Sequence, residues 1–171
     1  MNYIQELSDQ LLLLNKNEKM KINIHFIISE PLNSFCVDLN QKIHRVNHGL
    51  IHMRRESIIL PHISIFMGYV TSYQSLDSLI SSVGAYAQSQ SHFCIDPTAM
   101  YFKSVSKTAP QYLFIDLLQN QYIMEQKQTI NELLKDIVLP IGWNIEQEPP
   151  HITVGCYNKV TEKTQNIIDE N

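Results

Sequence analysis

One four-residue pattern, Pro-His-Ile-(Ser/Thr), occurs twice in this chain, as Pro61-His62-Ile63-Ser64 and as Pro150-His151-Ile152-Thr153. No other feature constrains the fold as much. Proline has no N–H to give to a sheet ladder, so a strand that follows it begins near the histidine. In a strand, residues i and i+2 share one face. His62 therefore points with Ser64, and His151 with Thr153, while Ile63 and Ile65, or Ile152 and Val154, point to the other side. Each strand has an apolar face fit to pack on helices and a His/hydroxyl face fit to line a cleft.

The surroundings repeat as well. Ile22 to Ile28 alternates and then becomes wholly apolar, as a strand buried on both faces would. Leu32, Phe35, Leu39, Ile43 and Val46 recur at helical spacing, and the strand-rich stretch from Ser57 to Val70 holds the first tetrapeptide. Leu76, Leu79, Ile80 and Val83 mark a second helix. In the other half, Phe93-Cys94-Ile95, Ala99 to Phe102 and Gln111 to Leu117 read as strands. Ile123, Ile130, Leu133, Leu134 and Ile137 read as a helix ended by Leu139-Pro140-Ile141-Gly142. His151 to Tyr157 is the last strand, and the tail from Lys159 is polar, helical or frayed. His25 to His62 is 62 − 25 = 37 positions, and Ile115 to His151 is 151 − 115 = 36. Near-equal spacing with the same order of elements predicts an internal duplication. The expected fold is α+β and two-lobed, a duplicated β-sheet/helix arrangement with a pseudo-twofold axis and the motif strands lining a central cleft. Residues 22–171 form this single bilobal domain, and 1–21 an N-terminal helix and polar linker.

At 171 residues the chain can bury a real core without staples. Cys36, Cys94 and Cys156 are odd in number and widely spaced, which argues against a disulfide framework or a zinc finger. Leu11 to Leu14 follows Glu6 and Asp9 and lacks a basic n-region and a cleavage site, so it reads as amphipathic helix rather than signal peptide. No apolar run reaches the length of a membrane span. A cytoplasmic monomer is expected, with no membrane partner. The net charge of −4, with Arg54-Arg55 as the only basic pair, favours a small phosphorylated ligand or an RNA end over a long duplex.

Cleaving a phosphodiester near neutral pH needs a group to take a proton from the attacking oxygen and another to give one to the leaving oxygen. Imidazole titrates in that range. The phosphoryl oxygens need donors already in place. A Ser and a Thr hydroxyl, one beside each His, can supply them. This chemistry calls for neither a metal nor a cofactor. A single His-x-Ser is weak evidence, but two copies at matching places in a repeated half predict one shared site.

Leu60-Pro61-His62-Ile63-Ser64-Ile65-Phe66-Met67-Gly68, and Gly142 followed by Pro150-His151-Ile152-Thr153-Val154, resemble the two H-x-(S/T)-x motifs of the 2H phosphoesterases. That superfamily includes bacterial RNA 2′,3′-cyclic phosphodiesterases, also named 2′,5′-RNA ligases. The resemblance runs from about Ile22 to Tyr157, and Tyr101-Phe102-Lys103 before a loop and an apolar strand fits it too. It implies that His62 and His151 are the catalytic acid/base pair and that Ser64 and Thr153 bind phosphate. It also implies a metal-independent phosphodiesterase, a hydrolase acting on a cyclic phosphodiester or a 2′,5′-type linkage. Many members follow the second motif with a basic residue, where this chain has Gly155-Cys156-Tyr157. The rival readings are hydrolysis of a cyclic oligonucleotide immune signal and a nucleotide-binding module without turnover.

Tyr157, Tyr69, Tyr101 and Trp143 are candidates to stack on a base. Tyr157 leads because it ends a motif strand. Arg54 and Arg55 could meet a second phosphate but read first as an exposed pair. His44, His48 and His52 are spaced four apart, as a metal stripe would be, yet Gly49 interrupts them and no carboxylate joins. They read as solvated helix-end histidines. His25 reads as a structural histidine in a core strand.

Overall fold

A computed structural model describes residues 19–54, 60–104, 109–117, 121–141 and 148–171. Within them the elements run β1 Met20–Ile27, α1 Leu32–Val46, β2 His62–Val70, α2 Tyr73–Ser89, β3 Pro97–Ser104 and β4 Gln111–Leu117. They continue with α3 Gln121–Leu134, β5 Leu139–Pro140, β6 His151–Tyr157 and α4 Glu162–Asp169. The fold is mixed α/β, with two three-stranded sheets ordered β1-β2-β5 and β3-β4-β6. The α+β class is the one the patterning predicts.

Local chemistry sets the helix starts. Ser72 caps α2 by accepting from the Ser75 amide at 3.1 Å, and Thr161 caps α4 by accepting from Thr164 at 3.3 Å. The polar tail is therefore helical. Several finer expectations change. Met20 and Lys21 belong to β1 rather than to a linker, and the expected N-terminal helix lies outside the described residues. β1 alternates half-buried and exposed residues, with Ile27 71% exposed, so it is not buried on both faces. Phe93-Cys94-Ile95 forms no strand, and Leu139–Pro140 pairs with Tyr69 and Gly68 of β2. The three cysteines are free thiols, Cys36 and Cys156 buried and Cys94 exposed. No helix of the described residues is long and apolar enough to cross a membrane.

The chain divides into two compact units, and neither is one half of the sequence repeat. One takes the described residues within Met1–Ile24, Ile65–Cys94 and Gln121–Glu148, and holds α2 and α3. The other takes those within His25–Ser64, Ile95–Asn120 and Pro149–Asn171. In this second unit α1, from the first half of the repeat, packs on β6 and α4 of the second half. Its core joins Val37, Leu39 and Ile43 of α1 to Leu113 and Ile115 of β4 and Ile152 and Val154 of β6, none more than 2% exposed.

A single amide ties this unit together. Asn40, on α1, is 0% exposed. Its Nδ2 donates to the carbonyls of Val154 at 2.8 Å and Ile51 at 3.1 Å, and its Oδ1 accepts from the Met53 amide at 2.8 Å. The Val154 carbonyl is available because of a β-bulge. Leu113 pairs with Gly155 and Phe114 with Thr153, so Val154 has no residue opposite it. Past the bulge the faces of β6 exchange. Cys156 now pairs with Tyr112 on the face of His151 and Thr153, while Tyr157 pairs with Gln111 and turns inward.

Tyr157 is 0% exposed and fills the space left by two glycines. A Cβ on Gly49 would sit 2.7 Å from its Cε1, and one on Gly155 would overlap its hydroxyl oxygen. That hydroxyl has no hydrogen-bond partner among the described residues, and burial pushes its pKa up to about 12.

Replacing Asn40 by Ala removes one acceptor and two donors and leaves two buried backbone groups and one part-buried carbonyl unpaired, each buried one costing about 1–3 kcal/mol. Asn40→Ala should lose at least about 2 kcal/mol of stability in urea unfolding followed by circular dichroism. A wild-type midpoint would contradict the bonding described here.

Candidate functional site

β2 opens on His62 and β6 on His151, as the prolines before them require. In both strands the His and the hydroxyl residue are half-buried, and the intervening apolar residues are at most 1% exposed. The face assignment read from the sequence therefore holds for His62 with Ser64 and for His151 with Thr153. All four residues fall in the same compact unit, on strands of different sheets.

The two histidines are held in the same way. His62 donates from Nδ1 to the carbonyl of Leu60 at 2.7 Å, and His151 from Nδ1 to the carbonyl of Pro149 at 3.1 Å. A carbonyl oxygen only accepts, so each Nδ1 carries a hydrogen. Nε2 is then the nitrogen without a hydrogen in the neutral form of both rings. The acceptor lies two residues back with a proline between, so the Pro-His step builds the same ring anchor twice.

The ring neighbours differ. His62 packs against His25 of β1 at a centroid separation of 4.4 Å and a tilt of 34°. His151 packs against Phe114 of β4 at 4.0 Å and 36°. These neighbours also correct the register of the repeat. Phe114 lies 151 − 114 = 37 positions before its histidine, the same as His25, so Phe114 and not Ile115 is the counterpart. His25, read from the sequence as structural, is the ring against which His62 rests. Its pKa is held below the ordinary 6.5, first by desolvation and then by the positive charge His62 can carry.

Asp116 was not anticipated. It stands directly across the ladder from His151, and Tyr101 donates its hydroxyl to Asp116 Oδ1 at 3.0 Å. The sequence carried a signal, because Asp116 is the one charged residue within Leu113–Leu117. Tyr101 also meets Phe114 edge-on, at 6.0 Å and 81°. The same sheet face thus carries His151, Thr153, Asp116, Phe114 and Tyr101.

Tyr157 cannot stack on a base in this arrangement, because the bulge has turned it into the core. Tyr69 stands near the far end of β2, paired with Leu139. Trp143 and Arg55 lie outside the described residues, and Arg54 is exposed. No group of three or more His, Cys, Asp or Glu among the described residues could hold a metal ion. His44, His48 and His52 are not separately solvated, however, since both other rings pack against that of His44.

No protein-family model matches the chain, and no curated protein does. Solved structures similar to it include Kluyveromyces marxianus Usb1 with uridine monophosphate, at a TM-score of 0.43 and 10% identity over 89% of this chain and 78% of that one. A second structure of Kluyveromyces marxianus Usb1 gives 0.42 and 11% over the same shares. Overlap this slight has no bearing on activity or substrate.

His25 should titrate below 6.5 when its ring carbons are followed by NMR. In His62→Ala the titration should move up only part of the way, since desolvation is the larger cause. Full recovery of the ordinary value would make the charge of His62 the main cause instead.

Proposed function

We propose that the chain is a phosphodiesterase that hydrolyses a cyclic phosphodiester or a 2′,5′-type nucleotide linkage, on a small nucleotide or an RNA end, with His62 and His151 as its acid/base pair. The observation that supports this most is the matched anchoring of the two rings. Each holds Nδ1–H on a backbone carbonyl beside a hydroxyl residue on the same strand face. That bond survives in both the neutral and the charged ring, so proton transfer is confined to Nε2.

In this mechanism one Nε2 removes a proton from water as its oxygen bonds to phosphorus. The other Nε2–H gives a proton to the oxygen whose bond to phosphorus breaks. The hydroxyls of Ser64 and Thr153 donate to the non-bridging oxygens, where negative charge builds up. The product is a phosphate monoester with a released hydroxyl, and solvent resets the two rings.

The unlike neighbours favour one division of the roles. A positive charge on His151 lies against the face of Phe114, whose quadrupole attracts cations. A positive charge on His62 lies against another imidazole. On this reading His151 is the acid and His62 the base. The hydroxyl-bound Asp116 carboxylate opposite His151 favours the same assignment.

The test is incubation with 2′,3′-cyclic nucleotides, 2′,5′-linked dinucleotides and cyclic di- and trinucleotides, with products resolved by chromatography. His62→Ala and His151→Ala should each lower kcat by about 10²–10⁴-fold, while His92→Ala, at an exposed position, keeps the wild-type rate. The double variant should lose less than the product of the two effects, because the groups act as a unit. EDTA should leave turnover unchanged. A His62→Ala enzyme at full rate, or wild type silenced by EDTA, would sink the mechanism.

The kcat/KM profile against pH should be bell-shaped. A profile that falls on only one side would count against a paired acid and base.

A further inference from the structure

The second unit holds another concentration of nitrogen donors, none of them on a motif strand. An open cavity of about 370 Å³ is lined by Gln41, His44, Arg45, His52 and Arg54. Gln41, His44 and Arg45 share the last turns of α1, where spacings of three and four put side chains on one face. The chain then reverses, and the segment carrying His52 and Arg54 returns along the helix. Asn40 holds it there, and Gln41 Nε2 donates to the Met53 carbonyl at 3.4 Å.

This return stacks His52 on His44 with ring centroids 3.9 Å apart and planes 9° from parallel. His48 meets His44 edge-on at 5.3 Å. The Gly49 amide donates to His44 Nδ1 at 3.2 Å, so Nδ1 is an acceptor and the ring's remaining nitrogen, Nε2–H, is a donor. Parallel rings with one Nδ1 already engaged are poorly arranged to chelate a metal. They are well arranged to donate.

Four of the five lining residues are Arg or His, and none is a carboxylate. The chain as a whole has 17 acidic and 13 basic residues, so this pocket departs in sign from the rest of the protein. His44 registers the imbalance, its pKa lowered first by burial and then by His52, His48 and Arg54. The C-terminal dipole of α1 accounts for His44 and Arg45, which lie in the last turn. It does not account for Arg54 and His52, which arrive from another segment. Two guanidiniums facing one cavity repel each other unless an anion joins them, and their fork matches the oxygens of a phosphate.

We propose that this cavity is a binding site for a phosphate group, the dianion of inorganic phosphate or the terminal monoester of a nucleotide. Arg45 and Arg54 grip the oxygens, and His44 Nε2–H and Gln41 complete the donor set. The site stands independently of the catalytic reading of His62 and His151.

The experiment is a titration of wild-type protein with inorganic phosphate, the histidine ring carbons followed by NMR and assigned by single substitutions, beside a matched chloride titration. A parallel arm uses adenosine 5′-monophosphate. The His44 and His52 signals should shift saturably with phosphate and not with chloride. The Arg45→Gln/Arg54→Gln variant, its fold checked by circular dichroism, should lose about tenfold or more in affinity at those signals. Tighter binding of the nucleotide would name a nucleotide terminus as the ligand, and equal binding would name free phosphate. Silence of His44 and His52, or the same response to chloride, overturns the site whether or not the arginine variant folds. A response confined to the His62 and His151 signals also overturns it and leaves the catalytic proposal untouched.

Discussion

The amide of Asn40 is the interaction on which most of the second unit depends. It lies in a fully buried place where each unpaired donor or acceptor would be costly. It settles three backbone groups at once, in β6 and in the segment after α1. Because it fixes β6, it fixes the strand that begins with His151. Because it fixes the returning segment, it lays His52 against His44 and brings Arg54 to the end of α1. A leucine of similar size would fill the volume and satisfy none of these groups. The polar side chain thus specifies one pairing of helix, loop and strand where an apolar one would permit several.

Much of this was legible in the sequence because strand and helix periods are short-range properties. The Pro-His steps gave the starts of β2 and β6, and the i, i+2 rule gave the faces of His62 with Ser64 and His151 with Thr153. The reading of Tyr157 failed for a specific reason. It shares parity with His151 in an unbroken strand, and the bulge at Val154 reverses parity beyond it. Gly155, a lone glycine in an apolar strand, was the available warning. Asp116 was missed because pairing across a ladder depends on register, and register between β4 and β6 is set by contacts far apart in the chain. The spacing of His44, His48 and His52 does not reveal that the three rings cluster. It arises from a chain reversal at Gly49 that helical spacing does not describe.

The order β1-α1-β2-α2 recurs as β4-α3-β6-α4, with β3 and β5 added, but these halves do not map onto the physical units. α1 comes from the first copy and buries its apolar face on β6 of the second. The first copy alone would leave Val37, Leu39 and Ile43 without that cover, so the copies are not independently folding modules. The Pro-His anchor is the same in the two halves. The ring beside each anchor differs, histidine in one half and phenylalanine in the other. Two equivalent imidazoles have thereby been given unlike electrostatic settings without any change in how either is held.

The enclosure of Tyr157 by Gly49 and Gly155 carries a consequence for how this sequence can change over generations. Each glycine is small because one aromatic ring occupies the space a methyl group would need. A mutation that enlarges either glycine first meets that ring and is harmful. The same mutation after Tyr157 has become smaller finds room. The three sites therefore admit their substitutions in one order and resist the reverse. Two of them lie within three residues of each other, and the third is more than a hundred positions away. A lineage of this fold with a larger residue at either glycine should therefore also carry a smaller one at position 157.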